Sequence, residues 1–147
     1  MFKSADDVTV GAARLDAYKN MQHEGTVGVV ANHTSMIGDT HFVDYPLDQS
    51  VAVRKVFAPE HGFRGKADAG EKVESGKDAK TGLPIVSLYG SHKKPTAEDL
   101  AGIETMVFDI QDVGARFYTY ISTMTYVMEA CAEHNVPLIV LDRPNPN

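Results

Sequence analysis

Five short apolar runs constrain this chain more than any other feature: Val27–Ala31, Val51–Ala58, Leu83–Leu88, Thr105–Ile110 and Val136–Leu141. A strand that is apolar almost throughout has no face left for water, so it belongs in a sheet covered on both sides. Helical stretches fall between the runs. The spacing predicts one from Val10 to about Glu24, closed by Gly25, and a short one from about Asp39 to Asp44, stopped before Pro46. Thr96-Ala97-Glu98-Asp99 opens another with a capping threonine and an acidic first turn. Phe117 to Glu133 carries Tyr120, Met124, Val127, Met128 and Cys131 as an apolar stripe. Strands alternating with helices predict an α/β fold, with a mostly parallel sheet of about five strands and helices on both faces.

The 147 residues suit a single domain able to bury a core without staples. The net charge of −6 argues against a nucleic-acid surface, which needs a basic excess. Cys131, the single cysteine, sits in the apolar helical stripe and reads as a buried, inert thiol. No stretch is long and apolar enough to predict a membrane span. Met1 to Asp7 shows no apolar signal-peptide core, which leaves an internal location or a signal already removed.

In parallel sheets, ligands bind beyond the carboxyl ends of the strands. The residues delivered to that edge are Asn32 and His33, Glu60 and His61, Tyr89, Gln111 and Asp112, and Asp142 and Arg143, with Asp109 inside its strand. They lie far apart in sequence, so their convergence says more than any one motif. The segment Ala58-Pro59-Glu60-His61-Gly62-Phe63-Arg64-Gly65 is the densest of them. It sets a carboxylate, an imidazole and a guanidinium on a loop that glycines allow to bend. Pro59 to Gly82 has no periodicity, and unstructured stretches of that length in a compact domain are usually functional or disordered.

Plainer readings stand beside these. His33 can cap a helix, and Asp109 can be a buried acid bonded to backbone amides. Asp112 and Arg116 can form a loop salt bridge, and Glu71, Lys72 and Glu74 read as a solvated charge run. His23, His92 and His134 read as surface residues, whereas Tyr118 is suited to lining a sugar-binding cleft. For Glu60 the functional reading leads, because His61 and Arg64 are placed to set its proton affinity. No glycine-rich nucleotide loop, nucleophile elbow or His-Glu-x-x-His is present. A metal on His33, Glu60, His61 and Asp112 lacks recognised ligand spacing.

Longer motifs resemble one bacterial family: Val29–Ser35, Phe57–Gly65, Asp68–Glu71, Thr81–Pro84, Ser87–Gly90, Phe108–Tyr120 and Leu141–Pro146. It is the family of NamZ-type exo-β-N-acetylmuramidases, formerly a domain of unknown function, and the resemblance runs from about residue 10 to the end. It implies a Rossmann-like, three-layer N-terminal catalytic domain over residues 1–147, followed in family members by more of this domain and a C-terminal domain. This chain is therefore expected to be a truncated N-terminal part. The implied reaction removes terminal N-acetylmuramic acid from the non-reducing ends of peptidoglycan fragments, which places the substrate in the cell envelope. No cofactor or metal is implied.

The resemblance makes Glu60 the catalytic acid; the mechanism expected with it takes Asp109 or Asp112 as acidic partner, or the substrate's own acetamido group as internal nucleophile. Asn32, His33, His61, Arg64, Arg116, Tyr118 and Arg143 are expected to shape the substrate site. Among them, Arg64, Arg116 or Arg143 would grip the sugar's lactyl carboxylate. A non-catalytic carbohydrate-binding module and a metal-dependent hydrolase remain the alternatives.

Overall fold

The structure is a computed structural model that describes residues 8–18, 25–45, 52–64 and 76–146. Its strands are β1 (Thr26–Ala31), β2 (Met36–Ile37), β3 (Thr40–His41), β4 (Ala52–Ala58), β5 (Gly76–Lys77), β6 (Pro84–Ser87), β7 (Thr105–Asp109) and β8 (Leu138–Val140). The helices are α1 (Leu15–Tyr18), α2 (Ala97–Leu100) and α3 (Tyr120–Glu133). Six strands form one sheet in the order β5-β6-β4-β1-β7-β8, and all neighbours are parallel except β5 with β6. The chain builds outward from β1 to β4 and β6, then returns to β7 and β8 on the other side. That reversal puts a topological switch point at the carboxyl ends of β1 and β7, where such sheets open a crevice.

The apolar runs at the centre of the sheet, β1, β7 and the second half of β4, are buried, whereas β6 and the edge strand β8 are only partly covered and Val140 is 50% exposed. In β1, alternate residues feed opposite faces: Val27, Val29 and Ala31 join Phe42, Val56, Val107 and Leu141, whereas Val30 joins Phe57, Phe108, Val127 and Cys131. Gly28 faces the second group, and a Cβ there would come within 2.5 Å of the Met106 sulfur and 3.0 Å of the Phe57 ring. The second face is covered by α3, which buries Tyr120, Thr123, Val127, Ala130 and Cys131 at helical spacing. Burial pushes the Cys131 thiol up to about 11, as expected of an inert core cysteine. No helix among the described residues is long and apolar enough to cross a membrane.

Several predicted elements are shorter or different. The helix expected from Val10 is a 3₁₀ turn at Gly11–Ala13 followed by α1, broken at Arg14 (φ −97°, ψ 50°). Its remainder, with His23, lies outside the described residues. The break has a tertiary cause. The Gly11 N–H donates to the Asp142 carbonyl at 2.7 Å, and a Cβ on Gly11 would lie 2.7 Å from the Asp142 nitrogen. The helix expected at residues 39–44 is instead the β2–β3 hairpin and a 3₁₀ turn at Phe42–Asp44. Gly38, at φ 56°, supplies the positive dihedral that a two-residue hairpin loop needs.

The stretch after Pro59 is not wholly irregular, since it contains the edge strand β5. The charge run at Glu71, Lys72 and Glu74 lies outside the described residues. Helix α2 is a single turn, closed by a reciprocal Thr96–Asp99 capping box. Helix α3 starts at Tyr120 rather than Phe117, because Ala115 to Tyr118 form a turn that leaves Phe117 exposed. It ends where Asn135 takes a left-handed conformation at φ 54°.

Candidate active site

Asn32, the first residue past β1, organises the switch point. Its Oδ1 accepts from the Thr34 N–H at 2.9 Å and the Thr34 hydroxyl at 2.7 Å, a turn that asparagine makes readily. The Thr34 hydroxyl in turn accepts from the Gln111 N–H at 3.0 Å, and the Ser35 hydroxyl donates to the Asp109 carbonyl. The loop after β1 is thus stapled to the end of β7. His41 closes it from beneath: Nε2 donates to the Asn32 carbonyl at 2.8 Å, while Nδ1 accepts from the Val43 N–H at 3.3 Å. Burial lowers the proton affinity of His41, in keeping with this neutral tautomer. No motif marked His41 in the sequence; the one local signal was the Gly38-Asp39 pair that turns the hairpin leading to it.

The Glu60 loop leaves β4, the neighbour of β1. The Gly62 N–H returns to the Pro59 carbonyl at 3.0 Å, closing a tight turn around Glu60 and His61. His61 holds φ 69° and Gly62 φ 74°. A left-handed histidine is uncommon, and such strain gathers at functional turns. Glu60 is half-buried and accepts one long bond from the Thr119 hydroxyl, at 3.3 Å. It lines a cleft of about 200 Å³ with Leu88, Tyr89, Lys93, Thr119, Ser122, Thr123 and Tyr126.

Arg64 does not reach into that cleft. Its guanidinium donates to Asp78 at 2.7 and 2.6 Å and to Asp44 at 2.9 and 2.9 Å, and it lies over the Phe63 ring at 4.6 Å. Phe63 itself meets His41 edge-on at 4.8 Å. The predicted substrate arginine is therefore a clamp between the Glu60 loop, the 3₁₀ turn after β3 and the entry to β6. Its bonds hold the Asp44 carboxyl down to about 2 and that of Asp78 lower still, against the opposing effect of burial. Both folded values lie below the unfolded range, so the stabilisation is complete above about pH 4. It fades as pH falls through those folded values. We expect an Asp78→Asn variant to melt below the wild type at neutral pH, and the gap to narrow towards pH 2 in thermal melts. A gap independent of pH would contradict the clamp.

Asp109 and Arg143 also differ from expectation. The Asp109 carboxylate is fully buried and takes both its bonds from Arg143, at 2.6 and 2.9 Å; Arg143 also donates to the Met36 carbonyl at 2.9 Å. Burial raises the Asp109 carboxyl while Arg143 pulls it back. The two side chains thus engage each other at the carboxyl ends of β7 and β8.

Asp112 is exposed, accepting from the Gly114 N–H at 3.3 Å and the Asn145 amide at 3.2 Å. It lines a second hollow of about 230 Å³, with Tyr120, Asp142 and Arg143 on the same wall. Arg116 is exposed and forms no ion pair with Asp112 among the described residues. Tyr118 is exposed and its ring lies 5.7 Å from that of Tyr120. His33 is exposed on the rim of an open concavity of about 390 Å³, shared with Asp39, His41, Asp44, Arg64 and Lys80. His92 is less free than a surface residue, bonding Asp99 at 2.8 Å. Among the described residues, no three His, Cys, Asp or Glu side chains are grouped to hold a metal ion.

The profile of the family described as exo-β-N-acetylmuramidase NamZ, N-terminal, matches residues 27–147. A peptidoglycan β-N-acetylmuramidase NamZ from Bacillus subtilis (strain 168) is 46% identical over 136 residues, covering 90% of this chain and 32% of that protein. Two crystal structures of DUF1343 family proteins from Bacteroides fragilis NCTC 9343 share the fold. One has a TM-score of 0.79 at 40% identity, covering 95% of this chain and 36% of the other. The second has a TM-score of 0.82 at 41% identity, with coverage of 93% and 35%. The chain thus spans about a third of the length of these relatives.

Proposed function

Because the chain belongs to the exo-β-N-acetylmuramidase NamZ family, matching its N-terminal region, we propose that it forms the cleft-bearing part of a glycosidase that releases terminal N-acetylmuramic acid from peptidoglycan fragments. One observation carries the proposal. Glu60 stands half-buried beside a cleft at the carboxyl edge of the parallel sheet, on a turn whose histidine is held at φ 69°. From there Glu60 protonates the leaving glycosidic oxygen.

The acid partner is Asp112, the carboxylate of the expected pair that faces solvent, or the substrate's own acetamido group. Asp109 is withdrawn from that role by Arg143. For the lactyl carboxylate, Arg116 and Lys93 supply the cationic groups, since Arg64 and Arg143 are already engaged by carboxylates. His33, His61, Asn32 and Tyr118 shape the surrounding edge.

The test is to incubate the intact protein with muropeptide glycans that end in N-acetylmuramic acid, and with the same glycans capped by another sugar. The free muramic sugar is expected from the first set alone. Binding without release would favour a carbohydrate-binding module, and loss of release in chelator would favour a metal-dependent hydrolase.

A further inference from the structure

Three consecutive basic residues, His92, Lys93 and Lys94, lie on the loop that leads from β6 to α2. Two of them hold the fold. The His92 ring donates to the Asp99 carboxylate of α2 at 2.8 Å. The Lys94 ammonium reaches Glu133 of α3 at 2.7 Å and Glu129 at 3.3 Å. The loop is thus fastened to a helix on each side of Lys93. Lys93 itself is exposed, has no carboxylate partner among the described residues, and lines the Glu60 cleft.

The rest of that lining is neutral. Tyr89, Thr119, Ser122, Thr123 and Tyr126 carry hydroxyls, and Leu88 is apolar. Glu60 is its one acid, and Arg116 does not line it. A general acid must hold its proton when the substrate arrives. The lining then carries one positive charge with nothing to offset it. A carboxylate on the bound sugar supplies the missing partner through a charge-assisted hydrogen bond, which a neutral sugar cannot do.

We propose that Lys93 is the specificity-determining residue of the Glu60 cleft: its ammonium takes the carboxylate of the terminal sugar, so that the cleft selects an anionic amino sugar over a neutral one. This inference deepens the proposed function, rests on its assignment of Glu60 as the acid, and chooses Lys93 over Arg116.

The test crosses Lys93→Met in the intact protein with a change in the substrate. One substrate is an aryl β-N-acetylmuraminide, and the other is the same glycoside with its lactyl carboxylate converted to a neutral methylamide. We expect the amide to raise KM about 10-fold for the wild type, and Lys93→Met to raise it as much for the carboxylate. For the variant the two substrates should differ little, because the partner is already gone. Little change in kcat is expected, the mark of an interaction shared by ground and transition states. Lys93→Arg should keep most of the preference, and the melting temperature of each variant should stay at the wild-type value. Equal losses on both substrates would overturn the inference, because Lys93 would then act through its loop or through Glu60. A carboxylate preference that survives Lys93→Met, or that vanishes in Arg116→Met instead, would overturn it as well. If Glu60→Gln retains turnover, or if neither glycoside is cleaved, the proposed function fails; the same cycle, read by calorimetric binding of the two glycosides, then upholds or overturns Lys93 separately.

Discussion

Replacing Arg143 with methionine is expected to destabilise the fold by about 3–5 kcal/mol, the range for removing one partner of a buried ion pair. The Asp109 carboxylate has no exposed surface and takes both its side-chain bonds from Arg143, whose own side chain is 5% exposed. Without the guanidinium the carboxylate must stay charged in a dry interior or bind a proton. The Met36 carbonyl loses its donor as well. For a domain near this size, about 2–4 °C of melting temperature accompanies each kcal/mol, so a thermal melt of the intact protein should shift by about 10 °C. Replacing both partners, Asp109→Leu with Arg143→Met, should recover much of the loss, because no charge is then stranded. A single variant within about 1 kcal/mol of wild type would mean that water reaches the pair, and would return Asp109 to the list of available acids.

The strand pattern was legible because each buried strand of a parallel sheet carries its own signature: Val29, Val30, Val56, Phe57, Val107 and Phe108 are apolar regardless of which face they point to. Reading the residues after each strand gave the carboxyl edge of the sheet for the same reason. It brought Asn32, Glu60 and Asp112 to one side without any knowledge of their contacts. What the sequence hid was pairing over distance. Arg64 sits four residues from Glu60, which suggested a shared role, yet its partners are Asp44 and Asp78. Asp109 looked like a cleft acid until Arg143, 34 residues on, closed over it. Local spacing carries no signal for either choice.

The broken N-terminal helix is a tertiary override of the same kind. Its apolar spacing was adequate, but docking Gly11 on Asp142 sets the chain direction instead. The β2–β3 hairpin was within reach, since the Gly38-Asp39 pair is a hairpin-turn signal that competed with a weak helical pattern.

The central claim is that Glu60 is the catalytic acid, and Glu60→Gln in the intact protein tests it most directly. Glutamine keeps the size and the acceptor for Thr119 but has no proton to give. Glu60 is half-buried with one long bond, so the variant should melt within a degree or two of wild type. Positioned acid–base groups contribute about 10²- to 10⁴-fold, and release of N-acetylmuramic acid should fall by that factor while muropeptide binding persists. Turnover within a few-fold of wild type, in a variant that melts normally, would contradict the account.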